Sequence, residues 1–381
     1  MLDVLIVGAG PAGAVAATVL ARAGARVRLL DRAHFPREKL CGDTVNPGAL
    51  ALLRRLELAS MLDARGLLIA GMVVTGEDGV AVQSRYPNGQ HGRSLMRRDL
   101  DLSLVEQATQ AGAEFEPGTR VRAAVRDERR RDRVRGVVTE RAGVSATVPA
   151  RVVIGADGRC STLAFGLGLA ERPARPRRWA IGAYFEGVDG VSAFGEMHLR
   201  RGMYIGLAPM PGGLANVCLV KPWGGAGTSF GDPAALLRRV LAKDEVLGSR
   251  FRGARLTAPP VVLGPLAIDV RPAACDGLLL AGDAAGFIDP MTGDGMRFAF
   301  RGGELAALTA LRTLEHGWAG AHAELALVRR REFGMKWRFN RTLRAIVGSP
   351  AALRVGRTVA SHAPAALRAI VRHAGDCGLQ P

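Results

Sequence analysis

The sequence predicts an α/β protein, α+β overall: a nucleotide-binding domain of alternating strands and helices, an inserted antiparallel β-sheet domain, and C-terminal helices. Three observations predict it. The chain opens with a complete strand–turn–helix–strand unit ending at Asp31. Two later apolar strands, starting near Arg151 and Gly277, each deliver an acid into a loop that contains glycine. Between about residues 166 and 264 the pattern changes to short alternating strands bounded by turn signals.

The opening unit is justified first. Asp3-Val-Leu-Ile-Val7 reads as a fully buried parallel strand, because an apolar run without alternation needs cover on both faces. Gly8-Ala-Gly10-Pro-Ala12-Gly13 follows at once, Ala14 to Ala23 reads as a packed helix, and Gly24 stops it. Arg26 to Leu30 is the second strand. Gly8 permits the tight turn, Gly10 lets the backbone approach a pyrophosphate, and Gly13 lets helix and strand pack closely. The helix N-terminus offers unpaired N–H groups and a positive dipole end to phosphates. Asp31 stands where an acid accepts ribose hydroxyls and disfavours a 2′-phosphate. This is a Rossmann-type dinucleotide site, with Gly8, Gly10, Ala12, Gly13, Asp31 and Arg32 as candidate contacts; the fingerprint alone leaves FAD and NAD open.

Two later segments decide between them. Arg151-Val-Val-Ile154 ends in Gly155-Ala-Asp157-Gly158. Gly277-Leu-Leu-Leu-Ala281 leads into Gly282-Asp283, then Asp289-Pro290 and Gly293-Asp-Gly295-Met296, with a helix expected over 297–314. One nucleotide needs only one such device, whereas a long dinucleotide lying across the sheet needs both, so the cofactor is expected to be FAD.

With these residues the sequence resembles the geranylgeranyl reductase branch of the FAD-binding aromatic-hydroxylase superfamily. The resemblance rests on Gly8–Gly13, on Phe35-Pro-Arg-Glu-Lys-Leu-Cys-Gly-Asp43 with Asn46-Pro47, on Arg97-x-x-Leu-Asp101, on Gly155–Gly158 and on Gly282–Met296. It implies that Asp283 holds the ribityl or phosphate part of FAD and that Gly293, Gly295 and Met296 pass the isoalloxazine. It also implies that Arg97 contacts the flavin's phosphate side, that the Val121 backbone meets the adenine, and that Cys41 and Gly42 lie near the ring. Asp157 either shapes a turn or touches the cofactor.

The middle of the chain supplies the expected substrate sheet. Residues 179–188, 195–199, 203–209 and 214–220 read as antiparallel strands, Met72 to Val82 joins them in space, and Pro233 to Asp244 is a helical interlude. Trp179, Tyr184, Phe185, Met197, Met203, Tyr204 and Met210 are candidates for an apolar pocket, which favours a hydrophobic small-molecule substrate. Reductases of the family carry Tyr-x-Trp-x-Phe-Pro here; this chain has Tyr204-Ile-Gly206-Leu-Ala208-Pro209, which widens the expected pocket.

The expected activity is an FAD-dependent, NAD(P)H-driven oxidoreductase that reduces a C=C bond, with Cys41 and Tyr204 as candidate catalytic proton donors. The alternative is a flavin-dependent monooxygenase of an aromatic or polyketide substrate, and a third reading is a non-catalytic flavin- or lipid-binding protein. NADPH or NADH would bind transiently, since no second dinucleotide fingerprint is present. No metal is expected: the seven histidines show no ligand spacing.

Charge and cysteines complete the reading. Five scattered cysteines form no Cys-x-x-Cys pair, which suits a reducing cytosol. The net charge is +17, with only four lysines among 52 basic residues. Between His316 and Pro381 eleven basic residues face three acids, and this segment suits peripheral contact with an anionic membrane. Nucleic acid is not expected, because no aromatic platform accompanies the charge. The domain reading is 1–75, 97–165 and 265–315 for the FAD domain, 76–96 and 166–264 for the substrate domain, and 316–381 for a helical segment, Trp318 to Leu343 and Pro350 to His373 with a break at Ser349-Pro350. The expected location is cytoplasmic, with membrane contact at the periphery.

Overall fold

The structure, a computed structural model, describes residues 2–39, 42–77, 79–173, 178–222, 231–271, 275–348 and 364–377. Its first layer is a seven-stranded sheet whose parallel part runs in the order Glu114–Pro117, Val27–Asp31, Leu2–Val7, Val144–Gly155, Leu278–Leu280. Val4 pairs with Val27 on one side and Val152 on the other, and Val4, Leu5 and Ile6 are fully buried. The unbroken apolar run is therefore the signature of a strand covered on both faces. The long strand Val144–Gly155 belongs to two arrangements at once. Its first half pairs antiparallel with Val134–Arg141, and its second half pairs parallel with Leu2–Val7.

Helix Pro11–Arg22 crosses this sheet beside helix Gly295–His316. Their backbones touch: a Cβ on Gly303 would stand 2.2 Å from the Ala12 carbonyl oxygen, and one on Gly13 would stand 1.8 Å from that of Gly8. No larger residue fits either place.

The second layer is an eight-stranded sheet in the order Arg255–Leu256, Arg178–Glu186, Leu214–Pro222, Met203–Met210, Phe194–Arg200, Gly71–Thr75, Ala81–Arg85, with Val261–Leu263 also on Arg178–Glu186. It is antiparallel except where Phe194–Arg200 meets Gly71–Thr75 in parallel. Residues 71–75 thus lie in the substrate sheet, although the sequence reading ended the first FAD segment at 75. The bare Gly71 lets the hairpin close, since a Cβ there would stand 2.1 Å from the Ser84 carbonyl oxygen.

Alternation sorts the expected pocket residues into two sets. Tyr184, Met197, Tyr204 and Met210 share the face toward the FAD domain, whereas Phe185 and Met203 pack on the opposite face with Ile181, Val217 and Leu219 under helix Pro233–Lys243. Trp179 also leaves the pocket, its ring filling the space over Gly264. Composition marked all seven as apolar; the two-residue period of a strand decides which face each serves.

At the C-terminus, helix Ala321–Gly348 packs on Gly295–His316. Trp318, expected inside that helix, precedes it and stacks on His322 at 5.1 Å. A last helix spans Pro364–Ala374, and the expected break at Ser349-Pro350 lies outside the described residues.

Candidate active site

The site begins at the turn after the first strand. Gly8 has φ +99°, and a Cβ there would stand 2.4 Å from the Ala156 carbonyl oxygen, so only glycine permits the turn. Helix Pro11–Arg22 starts at Gly10 with no capping side chain, leaving the N–H groups of Ala12 and Gly13 for an outside acceptor. Arg37 lies against Gly10: its Nη2 pairs with Asp101 at 3.0 Å, while its buried Nε has no hydrogen-bond partner. An orphaned guanidinium nitrogen beside an uncapped helix start fits a pyrophosphate.

Asp31 ends the second strand and accepts from the N–H groups of Ala9 and Ala33, both at 2.9 Å. Its carboxylate is thereby fixed at the crevice mouth with lone pairs to spare. Arg32 beside it is exposed, and Val121 is buried against the end of the same strand with Leu30 and Val7. Asp157 serves the turn: its Oδ2 accepts from the Thr162 N–H at 2.7 Å at the start of the short helix Thr162–Gly166, and burial pushes its carboxyl above the ordinary range.

The other end of the crevice gathers the later motifs. Asp283 lies in the turn Gly282–Ala285 that follows strand Leu278–Leu280. Burial pushes its carboxyl up, against the opposing pull of Lys39, Arg97 and Arg159. Gly293 is left-handed at φ +69°, and Gly295 opens the helix Gly295–His316. Met296 and Arg97 both close on Gly42, where a Cβ would stand 3.0 Å from the Met296 sulfur and from Arg97 Nη1. Gly42, Arg97 and Met296, distant in sequence, are thus brought together. Arg97 is buried and binds Asp101 through two bonds of 2.8 and 2.9 Å. Cys41 lies outside the described residues.

The sheet above this crevice presents a trough. In register across three strands, Gly182 faces Cys218, and Cys218 faces Gly206. This row of small residues separates two taller rows. One is Tyr184, Asn216 and Ala208; the other is Ala180, Val220, Tyr204 and Leu199. Rows four residues apart along a strand stand about 13 Å apart. Gly206 has no neighbour closer to its missing Cβ than the Cys218 carbonyl oxygen at 3.9 Å, and Gly206 and Cys218 stay partly accessible in mid-sheet.

Each wall carries a buried tyrosine–carboxylate pair. On one, the Tyr204 hydroxyl donates to Asp289, which also accepts from the Met291 N–H at 3.1 Å and faces Arg178 at 3.6 Å. On the other, the Tyr184 hydroxyl donates to both oxygens of Asp43, at 3.0 and 2.9 Å; Asn216 donates to Asp43 at 2.6 Å and the Arg97 N–H at 3.1 Å. The sequence reading named Tyr204 and missed its partner Asp289, and missed Asp43, Tyr184 and Asn216 as a group. Asp43 lies inside the quoted Phe35–Asp43 stretch, and its position after Cys41-Gly42 was the available signal. Its partners are 141 and 173 residues away, beyond any local pattern.

The FAD binding domain family matches residues 1–200 of this chain. The chain belongs to that family. Among curated relatives, the menaquinone reductase of Mycolicibacterium smegmatis is 31% identical over 80% of this chain and 75% of its own length. Digeranylgeranylglycerophospholipid reductase 2 of Methanopyrus kandleri is 32% identical over 82% and 78%, and the geranylgeranyl diphosphate reductase of Rhodobacter capsulatus 33% over 86% and 78%. The fold recurs in a flavin-dependent brominase (TM-score 0.85, 20% identity, 99% of this chain and 94% of that one). It recurs also in a geranylgeranyl bacteriochlorophyll reductase-like protein from Thermoplasma acidophilum (TM-score 0.77, 21%, 94% and 91%). The resemblance stated from the motifs holds, and this flavoprotein is an FAD-dependent oxidoreductase. Among the described residues no His, Cys, Asp and Glu cluster suits a metal, and no helix is long and apolar enough to cross a membrane.

Proposed function

We propose that this flavoprotein saturates C=C bonds in the isoprenoid chain of a lipid or quinone, with NADPH or NADH as a transient electron donor. The observation that carries the reading is the trough: a cross-strand groove floored by Gly182, Cys218 and Gly206, with the rings of Tyr184 and Tyr204 and the side chains of Val220 and Leu199 along its walls, which suits a slender hydrocarbon chain. The names of the relatives support the same substrate class.

Bound FAD supplies two-electron hydride chemistry. The helix start at Gly10–Gly13, Asp31, Arg37 and Asp283 would hold it, and the loop Gly293–Met296 would present its ring to the trough. The walls exclude water and keep the chain in place. Cys41 and Tyr204 remain candidate proton donors, tested by Cys41→Ala and Tyr204→Phe. The experiment is anaerobic incubation of the holoenzyme with NADPH or NADH and a geranylgeranyl lipid. Mass gains of two hydrogens per bond are the expected result. No saturation of any prenylated lipid or quinone overturns the reading, and oxygen insertion into an aromatic substrate in air replaces it with the monooxygenase.

The long helix Ala321–Gly348 supports a finer statement about the partner. Leu327 and Met335 are exposed on the same face as Arg330, Arg331, Arg338 and Arg341. An apolar stripe set among arginines fits the interface of an anionic bilayer, where isoprenoid lipids reside.

A further inference from the structure

We propose that Asp43 and Tyr184 form the proton-delivering pair of the site, with Tyr184 Oη as the atom that hands a proton into the trough. This rests on the double-bond-reducing reading above. Tyr184 stands two residues from Gly182 on the same strand face, as Tyr204 does from Gly206, so its ring borders the groove floor. Asp43 beneath it is 3% exposed and sits between the FAD motif and the substrate sheet.

The charges around the two walls differ. Burial pushes the Asp289 carboxyl up as well, but Asp289 faces the Arg178 guanidinium at 3.6 Å, a cation that favours its ionised form. Among the described residues no ion pair reaches Asp43: the Arg97 guanidinium, bonded to Asp101, pulls on the Asp43 carboxyl through its charge, and the Arg97 backbone N–H donates to it. The groups that face Asp43 are Tyr184, Arg97, Asp101 and the neutral Asn216, with Glu38 acting on Tyr184. Burial outweighs them and pushes the Asp43 carboxyl up to about 6. It can therefore hold a proton near neutral pH.

With Asp43 ionised, the Tyr184 hydroxyl is spent on its two oxygens. One proton added to the carboxyl reverses the bond: Asp43 then donates to Tyr184 Oη, and the hydroxyl is free to donate into the trough. In the reduction, one alkene carbon accepts the hydride's electron pair and hydrogen from the reduced flavin. Its neighbour takes the proton from Tyr184 Oη, Asp43 refills that oxygen, and solvent reprotonates Asp43. One hydride and one proton enter per bond; bound reduced flavin would supply the hydride and the nicotinamide nucleotide would restore it.

Infrared titration of the oxidised holoenzyme without substrate tests the proton store. The protonated-carboxyl band of Asp43, defined by difference from Asp43→Asn, should vanish with a midpoint near 6 in the wild type. The midpoint should rise in Tyr184→Phe, which removes a donor to the ionised form. Wild-type and Asp43→Asn spectra that coincide from acid to neutral pH overturn the proposal. Single-turnover mixing of dithionite-reduced enzyme with a geranylgeranyl lipid tests delivery. Tyr184→Phe and Asp43→Asn should slow saturation on the order of 10²-fold, with flavin reduction by the nucleotide unchanged. Saturation at the wild-type rate and pH profile in Tyr184→Phe overturns the proposal while leaving the reaction standing. A wild type that titrates as expected yet saturates no prenyl chain overturns the reaction and the proton's destination, but not the store.

Discussion

A Cβ on Gly206, on the floor of the trough, would meet the Cys218 carbonyl oxygen only at 3.9 Å, an ordinary contact, so a side chain can start there and grow into the groove. Gly206→Trp is expected to fold with a Tm within a few degrees of the wild type and to retain FAD. It should weaken binding of a geranylgeranyl lipid by at least about tenfold, the loss expected when apolar contact area of a ligand is denied; equilibrium fluorescence quenching would measure it. Gly8→Ala should behave in the opposite manner, because its Cβ would strike Ala156 at an imposed φ of +99°. Flavin retention through gel filtration should be lost. Asp43 adds a pH dependence with a definite sign. Its folded value of about 6 lies above the ordinary carboxylate range near 4, so between those values the folded chain holds a proton that the unfolded chain releases. Stability from this group therefore falls as pH rises through that window, by up to about 3 kcal/mol. Asp43→Asn should flatten the Tm profile between pH 4 and 6 without abolishing its slope, since burial raises Asp294 to about 6 as well.

The elements meet at a buried charge cluster that holds the C-terminal helices onto the loop Gly293–Gly295. Lys336, 3% exposed, reaches Asp294 at 3.1 Å and Asp376 at 2.9 Å, and Arg297 reaches Asp376 at 2.9 Å. Asp294 lies between Gly293 and Gly295, so the last helix is tied to the residues expected to present the ring. Lys336→Met leaves the buried Asp294 without its cation, while Asp376 keeps Arg297, and should cost about 3–5 kcal/mol, read as a lowered chemical-denaturation midpoint together with weaker FAD retention. On the outer side of the same helix, Met335→Glu with Arg338→Glu should abolish sedimentation with anionic vesicles in low salt. If wild-type protein fails to sediment with such vesicles, the membrane face is disproved.

At the scale of the molecule, the legible part of the sequence was the part written in local patterns. The turn Gly8–Gly13, the acid at Asp31 and the strands ending at Gly155 and Leu280 appear at or near their expected places, because each is specified by neighbours a few residues apart. Other features depend on partners that no local window contains. The face that Phe185 takes is set by strand register, the trough by glycines on separate strands, and the Asp43–Tyr184–Asn216 group by two sheets meeting. The expected joining of Met72 to Val82 with the substrate strands takes its partner from just as far away: Gly71–Thr75 pairs with Phe194–His198, more than 100 residues later. The arginine-rich composition likewise gave a net charge of +17 but not its arrangement; many arginines are engaged in ion pairs, and the outward face of Ala321–Gly348 is one place where several gather beside exposed apolar residues.

The contact between Ala12 and Gly303 has a consequence for the order in which the protein is born. A ribosome releases the nucleotide-binding turn well before the helix that buttresses it, which emerges only after the whole substrate sheet has been made. The parallel strand Leu278–Leu280 is equally late. Nascent chains arrested before residue 270 should therefore fail to capture flavin, whereas those arrested after residue 348 should load it. Cofactor loading then waits for Leu278–Leu280 and the helix Gly295–His316, and flavin supply acts after these are made rather than guiding the first folds.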